Sequence, residues 1–276
     1  MHDDRPRAFL LDFDGVLALA GRAVPGSPEA VAELARRRIP FRIITNTSLS
    51  SRATLAARVG ERGLTIPSDH WITALSISAA WTARRLPGLP IFVIASDDAK
   101  TEFAGQHLLS SVEAAAADAR AAAVVVGDSA RELTWANVNA AFGLVHRGAR
   151  LIAMHRNKWW ITPAGPTIDS GAYVAAIEYA TDTRATVAGK PSRTAFAEAV
   201  RSLRAELPDL RRSEIVMVGD DIDTDVGGGH RAGLRTALVL TGKHGESDVA
   251  EARRRRRVIP DIVTPSLATL VEDLVR

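Results

Sequence analysis

The sequence predicts an α/β fold: a doubly wound parallel sheet carrying an inserted second α/β domain. Three observations predict it. Short apolar runs alternate with helix-patterned segments along the 276 residues, as strand-crossover-strand units require. Four of the runs end in polar, chemistry-bearing residues, and ligands of open α/β sheets bind beyond the carboxyl ends of the strands. The spacing of those four ends is uneven. Asp12 to Thr45 is long enough for one strand–helix–strand unit, and so is Lys190 to Asp220, but Thr45 to Lys190 is several times too long. A Rossmann-like core of residues 1–76 and 184–276, interrupted by an inserted domain of residues 77–183, accounts for all three.

The elements follow in order. LLDFDGVL (Leu10 to Leu17) reads as a buried strand that delivers Asp12 and Asp14 to its end, with Gly15 to turn the chain. Side chains two apart on a strand point the same way. Two carboxylates so close need a cation between them, and a hard oxygen-seeking ion such as Mg²⁺ fits; a plain acidic turn is the alternative. Pro25 to Arg38 reads as a helix with Ser27 as its cap and Pro28 at its first position. FRIITNTS (Phe41 to Ser48) is a strand ending in Thr45, Asn46, Thr47 and Ser48. These hydroxyls, the amide and the free N–H groups of the turn can hold phosphate oxygens, although strands also exit into such turns without a ligand. A helix is expected from Ser51 to Arg62.

Ile72 to Ala95 holds two apolar runs around Ser76 to Leu86, and the alanine-dense Ala114 to Ala123 reads as a helix or turn feeding VVVGD. Inserted-domain strands are expected at Ile91 to Ala95, Ala123 to Gly127 and Arg150 to His155, with helices at Ser129 to Arg147 and Gly171 to Thr181. ATVAGKPS (Ala185 to Ser192) is the third polar-ended run. It presents Lys190, one of only four lysines among 35 basic residues. EIVMVGDDIDTD (Glu214 to Asp225) is the fourth, and its Asp220, Asp221, Asp223 and Asp225 repel one another unless a cation or a helix N-terminus offsets them.

Composition narrows the function classes. The chain has no cysteine, which excludes disulfides and thiolate metal sites. The short polar stretch before the first strand does not read as a secretory signal, and no apolar run approaches a bilayer span, so a cytoplasmic protein is expected. A net charge of +3 gives no ground for nucleic-acid binding. The Arg253 to Arg257 run is either an anion patch or the solvated end of a helix, where cations suit the dipole. His70, His107, His146 and His230 lack metal-ligand spacing.

DxDG, a Thr/Asn strand end, GKP and GDDxxxD, in this order, resemble the haloacid dehalogenase-like phosphatase superfamily over nearly the whole chain. The insert resembles its C2-type cap. VVVGD, LIAMHRNKWW, IEYATDTRATVAGKPS and LTGKHGESD are similar to subclass IIA, the nitrophenyl-phosphatase-like and sugar-phosphatase-like group, and within it to the phospholysine, phosphohistidine and inorganic pyrophosphate phosphatase branch. The resemblance implies Asp12 as nucleophile and Asp14 as general acid and base. Mg²⁺ would be bound by the Asp12 and Asp220 carboxylates and the Asp14 backbone carbonyl. Thr45 and Asn46, with N–H groups near Phe13 and Asp14, would hold the phosphoryl oxygens. Lys190 would neutralise the transferring group, and Asp225 would orient Lys190 or a water on the metal. Asp221 and Asp223 would support the site from outside or face solvent.

For the cap, the resemblance suggests substrate contacts from His155, Arg156, Lys158, Trp159 or Trp160. Adjacent tryptophans on a strand face opposite ways, so packing or a subunit interface accounts for at least one. Asp97, Asp98 and Lys100 read as a helix start, and Thr167 to Gly171 could approach the site through its glycine. The expected activity is Mg²⁺-dependent hydrolysis of a small phosphorylated metabolite, with a homodimer through the cap and no nucleic-acid or membrane partner. Pyrophosphate or P–N bond hydrolysis is the alternative within the family. A phosphate-responsive regulatory module, similar to receiver domains, is the non-enzyme alternative, but such modules have no cap. A dehalogenase would not need the second aspartate, Asp14.

Overall fold

The computed structural model describes residues 5–128, 131–162, 165–255 and 258–275. The chain forms two compact units. One holds the segment up to Thr45, Leu55–Ile72 and everything from Lys190 onward; the other holds Asn46–Thr54 and Thr73–Gly189.

The chain enters on β1 (Ala8–Leu11), buried at every residue, as a parallel strand covered on both faces must be. A small hairpin follows, β2 (Ala18–Leu19) against β3 (Arg22–Ala23). Helix α1 (Ser27–Arg36) is capped by Gly26 in the left-handed region, not by Ser27. The Ser27 hydroxyl instead donates to the Leu17 carbonyl at 2.8 Å, tying the helix to the turn after β1. Next come β4 (Phe41–Thr45), α2 (Arg52–Gly60) and β5 (Trp71–Thr73).

The insertion runs through α3 (Ala74–Arg85), β6 (Ile91–Ile94), α4 (Asp97–Lys100), β7 (Leu108–Leu109), α5 (Ser111–Ala115), β8 (Ala123–Val126) and α6 (Trp135–His146). It continues with β9 (Arg150–Ala153), a hairpin of β10 (Trp159–Thr162) and β11 (Gly165–Ile168), α7 (Ser170–Thr181) and β12 (Thr186–Val187). The helix expected from Ser129 starts at Trp135, because the Thr134 side chain caps it there; Ser129 and Ala130 lie outside the described residues. The alanine run is helical only to Ala115.

The chain closes with α8 (Arg193–Glu206), β13 (Ile215–Gly219), a π-type turn at Ile222–Val226, α9 (Gly227–Arg231), β14 (Arg235–Val239), α10 (Glu246–Arg254), β15 (Ile262–Thr264) and α11 (Leu267–Val275). Arg253 and Arg254 occupy the last turn of α10, where Glu251 pairs with Arg254 and Arg255. That is the helix-end reading of the arginine run; its Arg256 and Arg257 lie outside the described residues. Among the described residues, no helix is long and apolar enough to cross a membrane.

The first unit is built on a six-stranded sheet in the order β15-β14-β13-β1-β4-β5. The β15–β14, β14–β13, β13–β1 and β1–β4 pairings are all parallel. Leu11 pairs with Val218 on one side and Ile43 on the other, and Gly219 pairs with Leu238. This register brings the carboxyl ends of β4, β1, β13 and β14 to one edge. One face is packed by Phe9, Leu11, Ile43, Trp71, Val216 and Val218 against α1 and α11. The second unit has a five-stranded sheet, β12-β9-β8-β6-β7, with its own apolar core around Val124, Leu144 and Val174.

β12 departs from the expectation that Lys190 ends a strand of the core sheet. It pairs with β9, Thr186 against Ile152 and Val187 against Ala153. The N–H groups of Ala188 and Gly189 extend that ladder onto the Ala153 and Met154 carbonyls. Local sequence pattern cannot say which sheet a two-residue strand joins.

The core should be sensitive to lost volume at β1. Leu11→Ala is expected to destabilise the protein by about 2–5 kcal/mol, because the cavity cannot fully collapse; urea unfolding measures it, and a loss under about 1 kcal/mol contradicts the packing described.

Candidate active site

The carboxyl edge of the core sheet collects the acidic residues. Beyond the end of β1, the Asp12 N–H still donates to the Val218 carbonyl at 2.8 Å, which keeps Asp12 beside β13. The chain then turns sharply: Gly15 N–H donates to the Ala18 carbonyl at 2.7 Å. Gly15 has φ +76°, and a Cβ there would stand 2.1 Å from Asp220 Oδ2. A Cβ on Gly242 would meet the same oxygen at 2.1 Å. Two glycines thus let two turns close around one carboxylate. Lys243 N–H donates to Asp220 Oδ2 at 2.7 Å, and the Thr241 hydroxyl to the Gly15 carbonyl at 2.5 Å.

Lys190 occupies the centre. Its Nζ lies 2.7 Å from Asp12 Oδ1 and 2.7 Å from Asp225 Oδ1. Asp225 is fully buried and enters because residue 219 is glycine; a Cβ there would be 2.3 Å from the Asp225 side chain. The other Asp225 oxygen accepts the Asp221 N–H at 3.2 Å. Asp12 Oδ1 also accepts the Phe13 N–H at 2.7 Å, so the Lys190 and Phe13 contacts fall on one oxygen of Asp12. The Phe13 ring points elsewhere and packs edge-on against Trp71, 5.3 Å between centroids.

The charges follow from this packing. Burial alone would lower the Lys190 ammonium, but Asp12 and Asp225 more than reverse that and hold it above its ordinary value. Burial pushes Asp225 up to about 7, with Lys190 opposing and the Asp12 charge adding. Burial also raises Asp12, against Lys190 and with help from Asp14 and Asp220. Asp220 is raised by burial against the Lys243 N–H. Asp14 has an exposed side chain; the protein around its inner side still raises its carboxyl, Lys190 opposing and Asp220 adding.

Carboxylate oxygens of Asp12, Asp220 and Asp225 lie within 4.8 Å of one another, all three buried. Three acidic groups therefore share one ammonium. That surplus of negative charge on hard oxygen donors fits a divalent cation of the Mg²⁺ kind. The Asp14 side chain is not in the group; its expected contribution was a main-chain oxygen.

Thr45 is buried at the end of β4, two residues past the Leu11–Ile43 pairing. Asn46 opens the segment that groups with the second unit, where its Oδ1 lies 2.5 Å from the point a Gly189 Cβ would occupy. Asp221 is buried and accepts from Asp223 N–H (2.8 Å), Thr224 N–H (3.1 Å) and Lys243 Nζ (2.6 Å); Asp223 is exposed. Sequence reasoning missed Thr241, Gly242 and Lys243 as site residues. ALVLTGK, an apolar run ending in a hydroxyl, a glycine and a lysine, carries the pattern used for the other four ends.

In the second unit, Arg156 is bound by Glu178 through two 2.7 Å hydrogen bonds, and His155 is buried. Lys158 and Trp159 are exposed, and the Trp160 side chain lies outside the described residues. Gly171 meets the Asn157 carbonyl, 2.3 Å from where its Cβ would be, so its close approach is to backbone. Asp98 does more than start a helix: it accepts from the Ser51 N–H (2.8 Å), the Ser51 hydroxyl (3.0 Å) and the Thr54 hydroxyl (2.8 Å). His70 packs edge-on against Phe41, and His146 stacks on Phe142; both serve packing.

Comparison with known proteins identifies the family of the chain. A family profile described as haloacid dehalogenase-like hydrolase matches residues 9–108, and one described as HAD-hydrolase-like matches residues 187–270. The cattle haloacid dehalogenase-like hydrolase domain-containing protein 2 is 36% identical over 88% of this chain and 87% of its own. The human phospholysine phosphohistidine inorganic pyrophosphate phosphatase is 34% identical over 88% of this chain and 86% of its own. The solved p-nitrophenyl phosphatase of Archaeoglobus fulgidus matches with a TM-score of 0.85 at 28% identity, over 98% of this chain and all of that one. With its Rossmann-like core and acidic strand ends, the chain belongs to the haloacid dehalogenase-like hydrolases, in the company of phosphatases.

Proposed function

We propose that this chain is a Mg²⁺-dependent phosphatase that hydrolyses a small phosphorylated metabolite through an aspartyl-phosphate on Asp12. The observation that carries the reading is the Lys190 ammonium 2.7 Å from Asp12 Oδ1, with Asp220 in the same buried acidic group. A carboxylate attacking a phosphoryl dianion meets roughly 4 kcal/mol of repulsion per charge pair at 4 Å and an effective dielectric near 20. A site for this reaction must therefore concentrate positive charge, and Lys190 is buried where it can do so.

Asp12 Oδ2 attacks phosphorus and the bond from phosphorus to the leaving oxygen breaks. Asp14, whose carboxyl is held above its ordinary range, gives its proton to the leaving oxygen. The resulting Asp14 carboxylate takes a proton from a water that attacks phosphorus, and the bond from Asp12 Oδ2 to phosphorus breaks. Inorganic phosphate leaves and Asp12 returns to its starting state. Thr45 and Asn46 hold the phosphoryl oxygens, and Asp225 keeps Lys190 directed at Asp12. The Phe13 N–H contributes once it is released from Asp12 Oδ1. Asp12, Asp220 and the Asp14 main-chain oxygen would hold Mg²⁺, which supplies further charge neutralisation when bound. The second unit, close to residues 77–183, serves as the cap that selects the substrate. The same chemistry would cleave pyrophosphate or a P–N bond, a second reading favoured by the likeness to the phospholysine phosphohistidine inorganic pyrophosphate phosphatase.

Asp12→Asn is expected to abolish Mg²⁺-dependent release of phosphate from p-nitrophenyl phosphate while leaving the melting curve in place; substantial remaining turnover removes Asp12 as nucleophile. Lys190→Ala should lower kcat by about 10²–10³-fold, the usual cost of one preorganised electrostatic partner; steady-state kinetics within a factor of about two of wild type would take Lys190 out of the mechanism.

Protons and Mg²⁺ compete for the same carboxylates. Asp12, Asp220 and Asp225 all titrate above their unfolded values, Asp225 at about 7. Such groups bind more protons folded than unfolded, so the metal-free protein loses stability from them as pH rises from about 4 through about 7. A bound cation offsets that loss. The Mg²⁺-induced rise in Tm is expected to be larger near pH 8 than near pH 5.5. Differential scanning fluorimetry reads this, and an equal rise at both pH values argues against the carboxylate group as the cation site.

A further inference from the structure

Five polar side chains of the second unit are buried together: Ser48, Asp128, His155, Asp169 and Ser170, none more than 9% exposed. Buried polar groups persist where they are hydrogen-bonded, and here the bonds converge on one imidazole. His155 Nδ1 accepts the Asn157 N–H at 3.4 Å. A ring accepting at Nδ1 carries its proton on Nε2 when neutral. Nε2 faces the Ser48 hydroxyl at 3.2 Å and the Ser170 hydroxyl at 3.4 Å. Ser48 Oγ also accepts the Asp128 N–H at 2.9 Å. The Ser48 hydroxyl is thereby tied to two segments far away in sequence. Asp169 Oδ1 stands 3.9 Å from Nε2 and accepts the Ser170 N–H at 2.6 Å.

The charge state agrees with the geometry. Burial lowers the His155 imidazolium, with the Asp169 charge opposing. Burial lifts the Asp128 carboxyl to about 6, with Asp169 adding. Protonation of His155 would turn Nδ1 into a donor facing the Asn157 N–H, so the neutral ring is the one that fits.

Ser48 lies two residues after Asn46, on the segment that leaves β4. With its hydroxyl committed inward, Ser48 anchors that segment. We infer that His155 is a positioning residue which, through Ser48, fixes the Asn46–Ser48 segment for its grip on the phosphoryl group. This rests on the function proposed above. It assigns His155 to the inside of the second unit, away from the substrate contact that its place in LIAMHRNKWW suggests.

The test compares His155→Leu, His155→Gln, Ser48→Ala and the His155→Leu/Ser48→Ala pair. The readouts are KM and kcat on p-nitrophenyl phosphate and inhibition by inorganic phosphate. Loss of one buried hydrogen-bond partner is expected to raise KM and weaken phosphate inhibition about tenfold, with kcat changing less. Gln keeps an amide N–H where Nε2–H stood, so His155→Gln should regain most of the loss. The double variant should be no worse than the worse single, since both break one connection. Unchanged KM and phosphate inhibition in His155→Leu, or additive effects in the pair, overturns the inference. Should His155→Leu fail to fold, Ser48→Ala has to show the KM rise alone, and its absence is equally decisive. A wild type that neither hydrolyses the ester nor binds inorganic phosphate overturns the proposed function and this inference with it. A wild type that does both while His155→Leu matches it overturns this inference alone.

Discussion

The buried ammonium of Lys190 between Asp12 and Asp225 is the interaction on which the rest of this structure depends. A lysine so enclosed is costly without compensation, and two aspartates burying themselves without it would be equally so. Each charge makes the others tolerable. The arrangement also decides which Asp12 oxygen is engaged, since Lys190 and the Phe13 N–H share Oδ1. Asp225 has no exposed surface at all; it holds Lys190 and accepts the Asp221 N–H.

Backbone turns do the remaining work. The sheet register aligns four strand ends, and glycines at 15, 219 and 242 let neighbouring carboxylates come within reach of one another. The polar groups at this edge are held mostly by main-chain N–H groups and hydroxyls: Lys243 N–H on Asp220, Thr241 on the Gly15 carbonyl, Asp223 and Thr224 N–H on Asp221. Asp221 is thereby kept below the usual carboxylate range: burial would raise it, but the Lys243 ammonium and these N–H groups outweigh that. Two adjacent aspartates, 220 and 221, are thus driven in opposite directions by their surroundings.

The parallel core, the strand ends at Asp12 and Asp220, and the long insertion were legible because they rest on local pattern and chain length. Repulsion among closely spaced aspartates is also readable from a string of letters. What was not legible depends on partners remote in sequence. Ser27 looked like a helix cap, but Leu17 claims its hydroxyl. Asp98 looked like the start of a helix, yet Ser51 and Thr54 bind it. His155 read as a candidate substrate contact, and only the fold shows the hydroxyls around it. The sheet that β12 joins is settled by pairing with β9, which no local signal encodes.

That last strand has a practical corollary for chimeras. Val187 still belongs to the ladder of the inserted sheet, and Lys190 follows only three positions later. Swapping the insertion for another enzyme's would transplant the strand whose exit sets where the ammonium begins its reach. A splice placed after Thr183 divides that strand from its sheet, whereas one placed after Gly189 moves the ladder intact and puts the join next to the lysine. Grafts at this locus therefore bear on the registry of the central cation, and the recipient's first few residues after the junction have to be chosen together with the donor's last ones.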